Sequence, residues 1–350
     1  MYEEEWMKYI INGRFYSQKI TGVQRYAREI VKELDKICHG MQIEIAIPQD
    51  AEDVPSFSNI RATKLGEKGN VLWEQTTFSK YVRKSKAASI NLCNSAPLTG
   101  KKIVVIHDVK VTAHPEFFNW KFRAWYQFLF RNITKKALKI ITVSEFSKQE
   151  IIRYFHCNPD KVHVVYSAWQ HYDHISVDES VLKKFSLREN DYIFALGSLD
   201  PNKNLPWILK AAENDPSEKF IVGGGINFSV FAKQKIQLPQ NVHLIGYLSD
   251  VEAKSLMRYC KAFVFPSFYE GFGVPPMEAM VAGAPVIIVS DIPVMHEIFG
   301  DSVYYIDPNA TSFNFPAEDN YGKNETMLNT KILDKYSWEK SAGRLLSLLR

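Results

Sequence analysis

Short apolar runs of four to six residues recur along this 350-residue chain, and stretches of helical periodicity separate them. No other feature constrains the fold as much. A run with no polar face belongs to a strand buried on both sides, and such sheets are parallel with crossover helices on each face. In the first half, Lys8–Asn12, Ile43–Pro48, Ile103–His107 and Ile140–Val143 read as strands, with helices over Gly22–Cys38, Asn119–Lys139 and Glu145–Tyr154. In the second, Tyr192–Leu196, Lys219–Val222, Val242–Ile245, Ala262–Phe265 and Pro285–Val289 read as strands, with helices over Pro206–Asn214, Asp250–Tyr259 and Pro276–Gly283. The chain is too long for one ordinary core. The sequence therefore predicts an α/β protein of two doubly wound domains, 1–172 and 173–335, with the polar stretch Tyr166–Asn190 as linker. Ligands of such domains sit at the carboxyl ends of the strands, here expected in a cleft between the two. Asp307–Thr330, rich in Asn, Thr and Ser, reads as loop or poorly ordered chain, and Lys335–Leu349 as a closing helix with Trp338, Ala342, Leu345, Leu346 and Leu349 on its apolar side.

Composition narrows the class. No apolar run reaches the roughly 18 residues of a membrane span, and the acidic start Met1-Tyr2-Glu3-Glu4-Glu5 is unlike a signal peptide. Cys38, Cys93, Cys157 and Cys260 are far apart and show no metal spacing, as expected of reduced cytosolic thiols. Residues 1–172 hold 26 Lys and Arg against 17 Asp and Glu, whereas residues 173–350 hold 17 against 22. Either the basic half meets an anionic partner, such as a membrane surface, a lipid phosphate or nucleic acid, or the imbalance lies on solvated faces.

The chemistry concentrates after the strand Ala262–Phe265. Glu270 and Glu278 stand eight positions apart, with Gly271-Phe272-Gly273-Val274-Pro275-Pro276 between them and a helix starting inside the interval. A Gly-rich approach to a helix start presents backbone N–H groups to an anion. Carboxylates beside it repel phosphate and accept from hydroxyls, so sugar hydroxyls are the expected partners. Gly197-Ser198-Leu199-Asp200-Pro201-Asn202-Lys203 follows another strand and sets Lys203, a point charge suited to phosphate, at a helix start. Phe220–Gly225 ends in three glycines, with Gly224 among them, but lacks the dinucleotide spacing G-x-G-x-x-G. Gly246-Tyr247-Leu248 closes a further strand with an aromatic edge suited to a base.

In the first half, Thr21 reads as a helix N-cap and Gly22 as a point of close backbone approach to a diphosphate. His107, beside Asp108 at a strand end, is either a core histidine bonded to Asp108 or a carbonyl, or a ligand of a sugar hydroxyl. Along the helix at 119–139, Phe118, Phe122, Trp125, Tyr126, Leu129 and Ile133 form one face, expected in the core. Phe117, Trp120 and Phe128 fall outside it among Lys and Arg, and are either surface residues or a rest on an anionic membrane. No D-x-D triplet or histidine cluster marks a metal site.

These residues together resemble the retaining glycosyltransferases of family 4, which have the GT-B fold, two Rossmann-like domains facing across a cleft. Glu270 to Glu278 matches that family's E-x7-E motif; Gly197–Asn204, Gly246–Asp250, Ile141–Ser147 and Tyr336–Glu339 support it, and the likeness covers nearly the whole chain. Gly13–Tyr26 and Asn94–Leu98 are similar to the bacterial subset that builds O-antigens and capsules. The resemblance implies a hexosyltransferase that needs no metal or other cofactor. By it, the first domain binds the acceptor, with residues 336–350 packing back on it, and the second binds the nucleotide sugar. Catalytic roles fall to Glu270, which holds the sugar, to Lys203, which neutralises the leaving diphosphate, and to His107, which touches the sugar near its sixth position; Phe272, Gly273 and Val274 bind the donor, with the amides near Phe272 and Gly273 on its sugar. Glu278 meets the ribose, Gly22 approaches the diphosphate, and Gly197, Ser198, Asn202, Gly224, Tyr247 and Leu248 line the nucleotide. Ser198 and Asn202 stand where relatives carry arginine, which leaves neutralisation to Lys203 and backbone dipoles.

The implied donor is a nucleoside-diphosphate sugar, GDP-mannose ahead of GDP-fucose or a UDP-hexose. The implied acceptor is a lipid-linked saccharide, met in the cytoplasm at the inner face of an anionic membrane. A nucleotide-sugar epimerase or hydrolase on the same fold is the alternative. A nucleic-acid-binding protein is a third reading, which the acidic second half opposes.

Overall fold

A computed structural model describes residues 7–197, 200–225, 238–310 and 325–350, with side chains from 329 in the last stretch. The chain divides into two compact units, 1–168 together with 337–350, and 169–336.

The first unit carries a seven-stranded, wholly parallel sheet: β1 (Tyr9–Asn12), β2 (Ile43–Ile47), β3 (Arg61–Lys64), β4 (Ala88–Asn91), β5 (Lys102–Val105), β6 (Lys139–Thr142) and β7 (Val162–Val164). Their order is β3-β2-β1-β4-β5-β6-β7. Helix α1 (Gly22–Ile37) starts after Thr21, whose amide donates to the Gln24 side chain at 3.3 Å, and buries Tyr26, Ala27, Ile30, Val31 and Leu34. Residues 71–84 form one helix whose middle turn, Glu74–Phe78, is wound as a π-helix. Helix α2 (Trp120–Lys136) buries Leu129, Phe130, Ile133 and Thr134, all in its second half. Phe122 and Trp125, expected in the core, are exposed with Trp120 and Phe128. The first half of α2 thus leaves these four aromatic side chains at the surface of the unit. Helix α3 (Glu145–Phe155) follows β6 and is capped by Ser144.

The second unit carries a six-stranded parallel sheet: β8 (Ile193–Leu196), β9 (Phe220–Gly223), β10 (Val242–Gly246), β11 (Ala262–Phe265), β12 (Ile287–Ser290) and β13 (Tyr304–Ile306), in the order β10-β9-β8-β11-β12-β13. Its core joins Ile193, Trp207, Phe220, Val264 and Ile288. From Trp169 onward the stretch expected as an irregular linker packs into this unit instead. It forms α4 (Gln170–Asp173), buries Tyr172, Val181 and Leu182, and is anchored where Lys254 Nζ donates to Tyr172 O at 2.8 Å. Further helices are α5 (Leu205–Asn214), α6 (Asp250–Tyr259), α7 (Val274–Ala282), α8 (Pro293–Phe299) and α9 (Glu325–Lys335). The last turns Glu325–Thr330 into helix where loop was expected, while residues 311–324 of that stretch lie outside those described.

Helix α10 (Trp338–Leu349) is separate from α9, because Ser337 breaks the run and caps the new helix at Lys340 N. It packs on α1 of the first unit. The Tyr26 and Trp338 rings meet edge-on at 5.7 Å, and Tyr9 Oη donates to Leu349 O at 2.8 Å. Among the described residues no helix is long and apolar enough to cross a membrane.

Candidate active site

In the second unit the chain passes from β8 to β9 and β10 on one side, then returns through β11 to the other. The strand order reverses between β8 and β11, where the following loops part and leave a crevice for a ligand. Lys203 follows β8 and Glu270 follows β11. Their side chains meet there, Nζ donating to Oε1 at 2.7 Å, with both groups mostly buried.

The approach of Lys203 is built locally. Asp200 accepts from Asn202 N at 3.0 Å and sets the turn Pro201–Lys203. The lysine stem runs over Gly197, where an added Cβ would come within 3.2 Å of Lys203 Cγ. Its ammonium lies 4.5 Å from the centre of the Phe265 ring, so the cation gains ring attraction as well as the carboxylate. Gly197 N bonds Gly223 O at 3.0 Å, which ties the ends of β8 and β9 together.

Two asparagines fasten the loop that bears Glu270. Asn202, expected against the nucleotide, is buried. Its Nδ2 donates to Tyr269 O at 2.8 Å and its main-chain carbonyl accepts from Phe268 N at 2.9 Å, so this residue holds the loop from beneath. Asn204 sits in the left-handed region with φ 56°, a conformation asparagine tolerates, and its Nδ2 donates to Pro266 O at 3.0 Å and Pro308 O at 2.8 Å. The sequence reading missed Asn204; its signal was an Asn directly before a helix that begins Leu-Pro.

Gly273 precedes α7 with φ 97°, and a Cβ there would lie 3.1 Å from both Met295 Sδ and Phe299 Cε2. Phe272 is buried, its ring edge-on to Tyr336 at 5.3 Å. The helix start is a poorer anion site than its glycines suggest. Pro275 and Pro276 have no N–H, so the first turn presents Val274 N, while Met277 N bonds Gly273 O at 3.3 Å.

Glu278 lies one turn into α7. Its Oε1 accepts from His171 Nε2 at 3.2 Å, the histidine coming from α4. Tyr247 is 68% exposed beyond β10, and Leu248 is buried over Gly223. Gly224 N bonds Gly246 O at 2.7 Å. Ser198 lies outside the described residues.

In the first unit the strand order reverses between β1 and β4. A buried polar network closes that point. Glu74 Oε2 accepts from Asn12 Nδ2 at 2.8 Å and from Ser95 Oγ at 2.9 Å, and the Arg14 guanidinium stands 3.5 Å from it. Gly22 is the exposed first residue of α1, with no atom within 4 Å of an added Cβ. His107 is buried after β5. Its Nε2–H donates to Leu92 O at 2.9 Å, its amide donates to Asn94 Oδ1 at 2.6 Å, and Tyr26 meets its ring edge-on at 4.8 Å. Burial lowers its pKa, so the neutral ring predominates and Nδ1 carries a lone pair. A cavity of about 190 Å³ opens beside these strand ends, lined by Asn94, Asp108, Lys110, Phe118, Phe122 and Tyr126. Aromatic rings beside a carboxylate and amides suit a saccharide, whose C–H faces stack and whose hydroxyls donate. Among the described residues no group of three or more His, Cys, Asp or Glu side chains is placed to hold a metal ion.

Residues 20–168 match the family described as Glycosyltransferase Family 4, and residues 178–315 match Glycosyl transferases group 1. The chain is 30% identical over 221 residues to the O-antigen chain mannosyltransferase RfbU of Salmonella typhimurium, an alignment spanning 62% of this chain and 59% of that protein, under two thirds of its length. It is 26% identical to O-antigen chain mannosyltransferase B of Escherichia coli, with 87% of each chain covered. Among solved structures, HepE from Anabaena, in complex with UDP and glucose, superposes with a TM-score of 0.63 at 16% identity, covering 98% of this chain and 94% of that one, a likeness of fold.

Proposed function

The chain belongs to the family 4 glycosyltransferases and has the GT-B fold, and we propose that it moves a hexose, with retention of anomeric configuration, from a nucleoside-diphosphate sugar to a hydroxyl of a lipid-linked oligosaccharide during surface polysaccharide synthesis. The Lys203–Glu270 pair at the strand-order reversal of the second unit carries the reading. Breaking the bond at the anomeric carbon leaves negative charge on the diphosphate, and a fixed cation at that point stabilises it, the electrostatic contribution that usually dominates. Glu270 accepts from sugar hydroxyls through its carboxylate, and Glu278 from the ribose. The two glutamates lie at the ends of one binding loop, not on opposite faces of a scissile bond, so they do not form the acid–base pair of a hydrolase.

Mannose leads among donors because both O-antigen relatives are named mannosyltransferases, with GDP-mannose its expected carrier. GDP-fucose and UDP-hexoses stay in the test. The aromatic cavity beside Asp108 supports a saccharide acceptor, and the exposed aromatics of α2 support peripheral contact with an anionic membrane. There Trp120 is 68% exposed next to Lys121, and Phe128 is 53% exposed one turn before Arg131.

The test is nucleotide release by purified protein from GDP-mannose, GDP-fucose and UDP-glucose, with and without a lipid-linked acceptor extract, followed by assignment of the product anomer. The expected result is acceptor-dependent release from one donor and an axial product from an axial donor. Release at the same rate without acceptor, or an inverted anomer, overturns the proposal.

A further inference from the structure

We infer that His171 is a positioning residue for Glu278, holding one carboxylate oxygen so that the other is presented to the ribose hydroxyls of the nucleotide; this rests on the reading of Glu278 as the ribose ligand. His171 is outside the Glu270–Glu278 motif and within a stretch whose sequence reads as linker.

The geometry separates its role from that of a ligand-contacting group. The His171 side chain is 2% exposed, so a nucleotide cannot reach the ring, whereas that of Glu278 is 13% exposed. Nε2–H donates to Oε1, which leaves Oε2 as the acceptor toward ligand. A carboxylate on a helix surface samples several rotamers, and a diol pair of hydrogen bonds rewards only one; a fixed donor on the far oxygen selects it in advance.

The segment that bears the histidine is held by contacts that do not involve Glu278. On one side Trp169 Nε1 donates to Leu333 O at 2.8 Å and Gln170 Nε2 donates to Tyr336 O at 3.1 Å. On the other, Tyr172 is buried and its Oη donates to Met257 Sδ at 3.6 Å. Helix α4 is thus pinned at residues 169, 170 and 172, and residue 171 is the one directed at α7. Removing its ring breaks the aim of Glu278 while the segment keeps its other anchors.

The readout is the preference for a nucleotide with ribose hydroxyls over one without, which a general loss of structure does not move. Binding of GDP and 2′,3′-dideoxy-GDP, and of UDP and its dideoxy form, is measured by calorimetry for wild type, Glu278→Ala, His171→Ala and His171→Gln. For the base that wild type binds, the ribo form is expected to win by about 10-fold or more, the range for hydrogen bonds to a charged group. Glu278→Ala should bring the ratio close to one. His171→Ala should lower it severalfold by weakening the ribo form alone, with dideoxy binding held, and His171→Gln, whose amide can donate, should restore part of it. If Glu278→Ala abolishes the preference but His171→Ala keeps it, or weakens both nucleotides equally, the positioning role is overturned. If Glu278→Ala keeps the preference, or wild type has none, the ribose reading of Glu278 fails first.

Discussion

Lys203 Nζ stands 2.7 Å from Glu270 Oε1, so the cation offered to a departing diphosphate is held by the same carboxylate that is proposed to hold the transferred sugar. A diphosphate must draw the ammonium away from Glu270 or share it. Glu270→Gln removes the competing charge and keeps the shape. Nucleoside diphosphate should then bind about 3- to 10-fold tighter while transfer falls about 100-fold, because a charged sugar contact becomes a weaker neutral one as a phosphate contact is relieved. Lys203→Ala should weaken nucleotide binding and lower kcat by about 10²- to 10³-fold. Calorimetry with the nucleotide alone and steady-state kinetics check both; weaker nucleotide binding by Glu270→Gln refutes the competition.

Gly273→Ala tests whether the loop between the glutamates is held under tension. Its φ of 97° disfavours any side chain, and the new Cβ would press on Met295 and Phe299, which are buried. The backbone conformation alone costs about 1 to 2 kcal/mol, with the crowding in addition. The expected result is a lower Tm together with a raised donor KM, since Phe272 and Val274 must shift. A variant that loses Tm and leaves KM intact would place the loop amides outside donor binding.

How much of this was legible in the sequence follows from the physics of each element. Both parallel sheets were, because strands such as Ile43–Ile47 and Ala262–Phe265 are buried on two sides and read as apolar runs. The strands that went unread lack such runs. Strand β3, Arg-Ala-Thr-Lys, is an exposed edge; β4, Ala-Ser-Ile-Asn, buries polar atoms that the network around Glu74 satisfies; β7 and β13 are three-residue edges. Within the candidate site, Lys203 and Glu270 were legible from loop chemistry at strand ends. The roles of Asn202, Asn204 and His171 were not, because each depends on a partner more than sixty positions away. The aromatics of α2 misled for a related reason: a helical face signals burial only where something covers it, and Phe122 and Trp125 are left exposed.

Glu74 should be among the costliest positions of the first unit. Glu74→Ala strips acceptors from Asn12 and Ser95 and leaves the Arg14 guanidinium buried without its counter-charge. Breaking one side of such a pair costs about 3 to 5 kcal/mol. A double change, Arg14→Met with Glu74→Met, should recover much of that, since an apolar pair has no charge to desolvate. Urea midpoints at equal m-value decide it; a double variant no more stable than Glu74→Ala alone refutes the pairing account.

Trp120→Ser combined with Phe128→Ser should leave Tm within about 2 °C of wild type, because exposed side chains contribute little to the core. Cosedimentation with vesicles containing anionic lipid should fall severalfold, and the residual binding should respond to salt through the neighbouring lysines and arginines. Unchanged cosedimentation would assign these aromatics to something other than a membrane.

His107 gives a dependence on pH whose sign is fixed by its burial. The ordinary histidine value is 6.5, and desolvation holds the buried ring below it, against smaller opposing contributions from the Leu92 carbonyl and Asp108. As pH falls through 6.5 the unfolded chain takes up a proton that the folded protein does not. Stability from this group is therefore complete above 6.5 and declines through the interval down to the lowered value, by at most about 1.4 kcal/mol per pH unit. His163 is shifted the same way by burial and by Lys139, Arg344 and Lys148, so the wild-type curve contains both. His107→Gln keeps a donor for Leu92 and removes one titration. Denaturant unfolding between pH 5 and 7.5 should show a shallower fall for this variant than for wild type, and parallel curves would mean that His107 takes up its proton alike in the folded and unfolded chain.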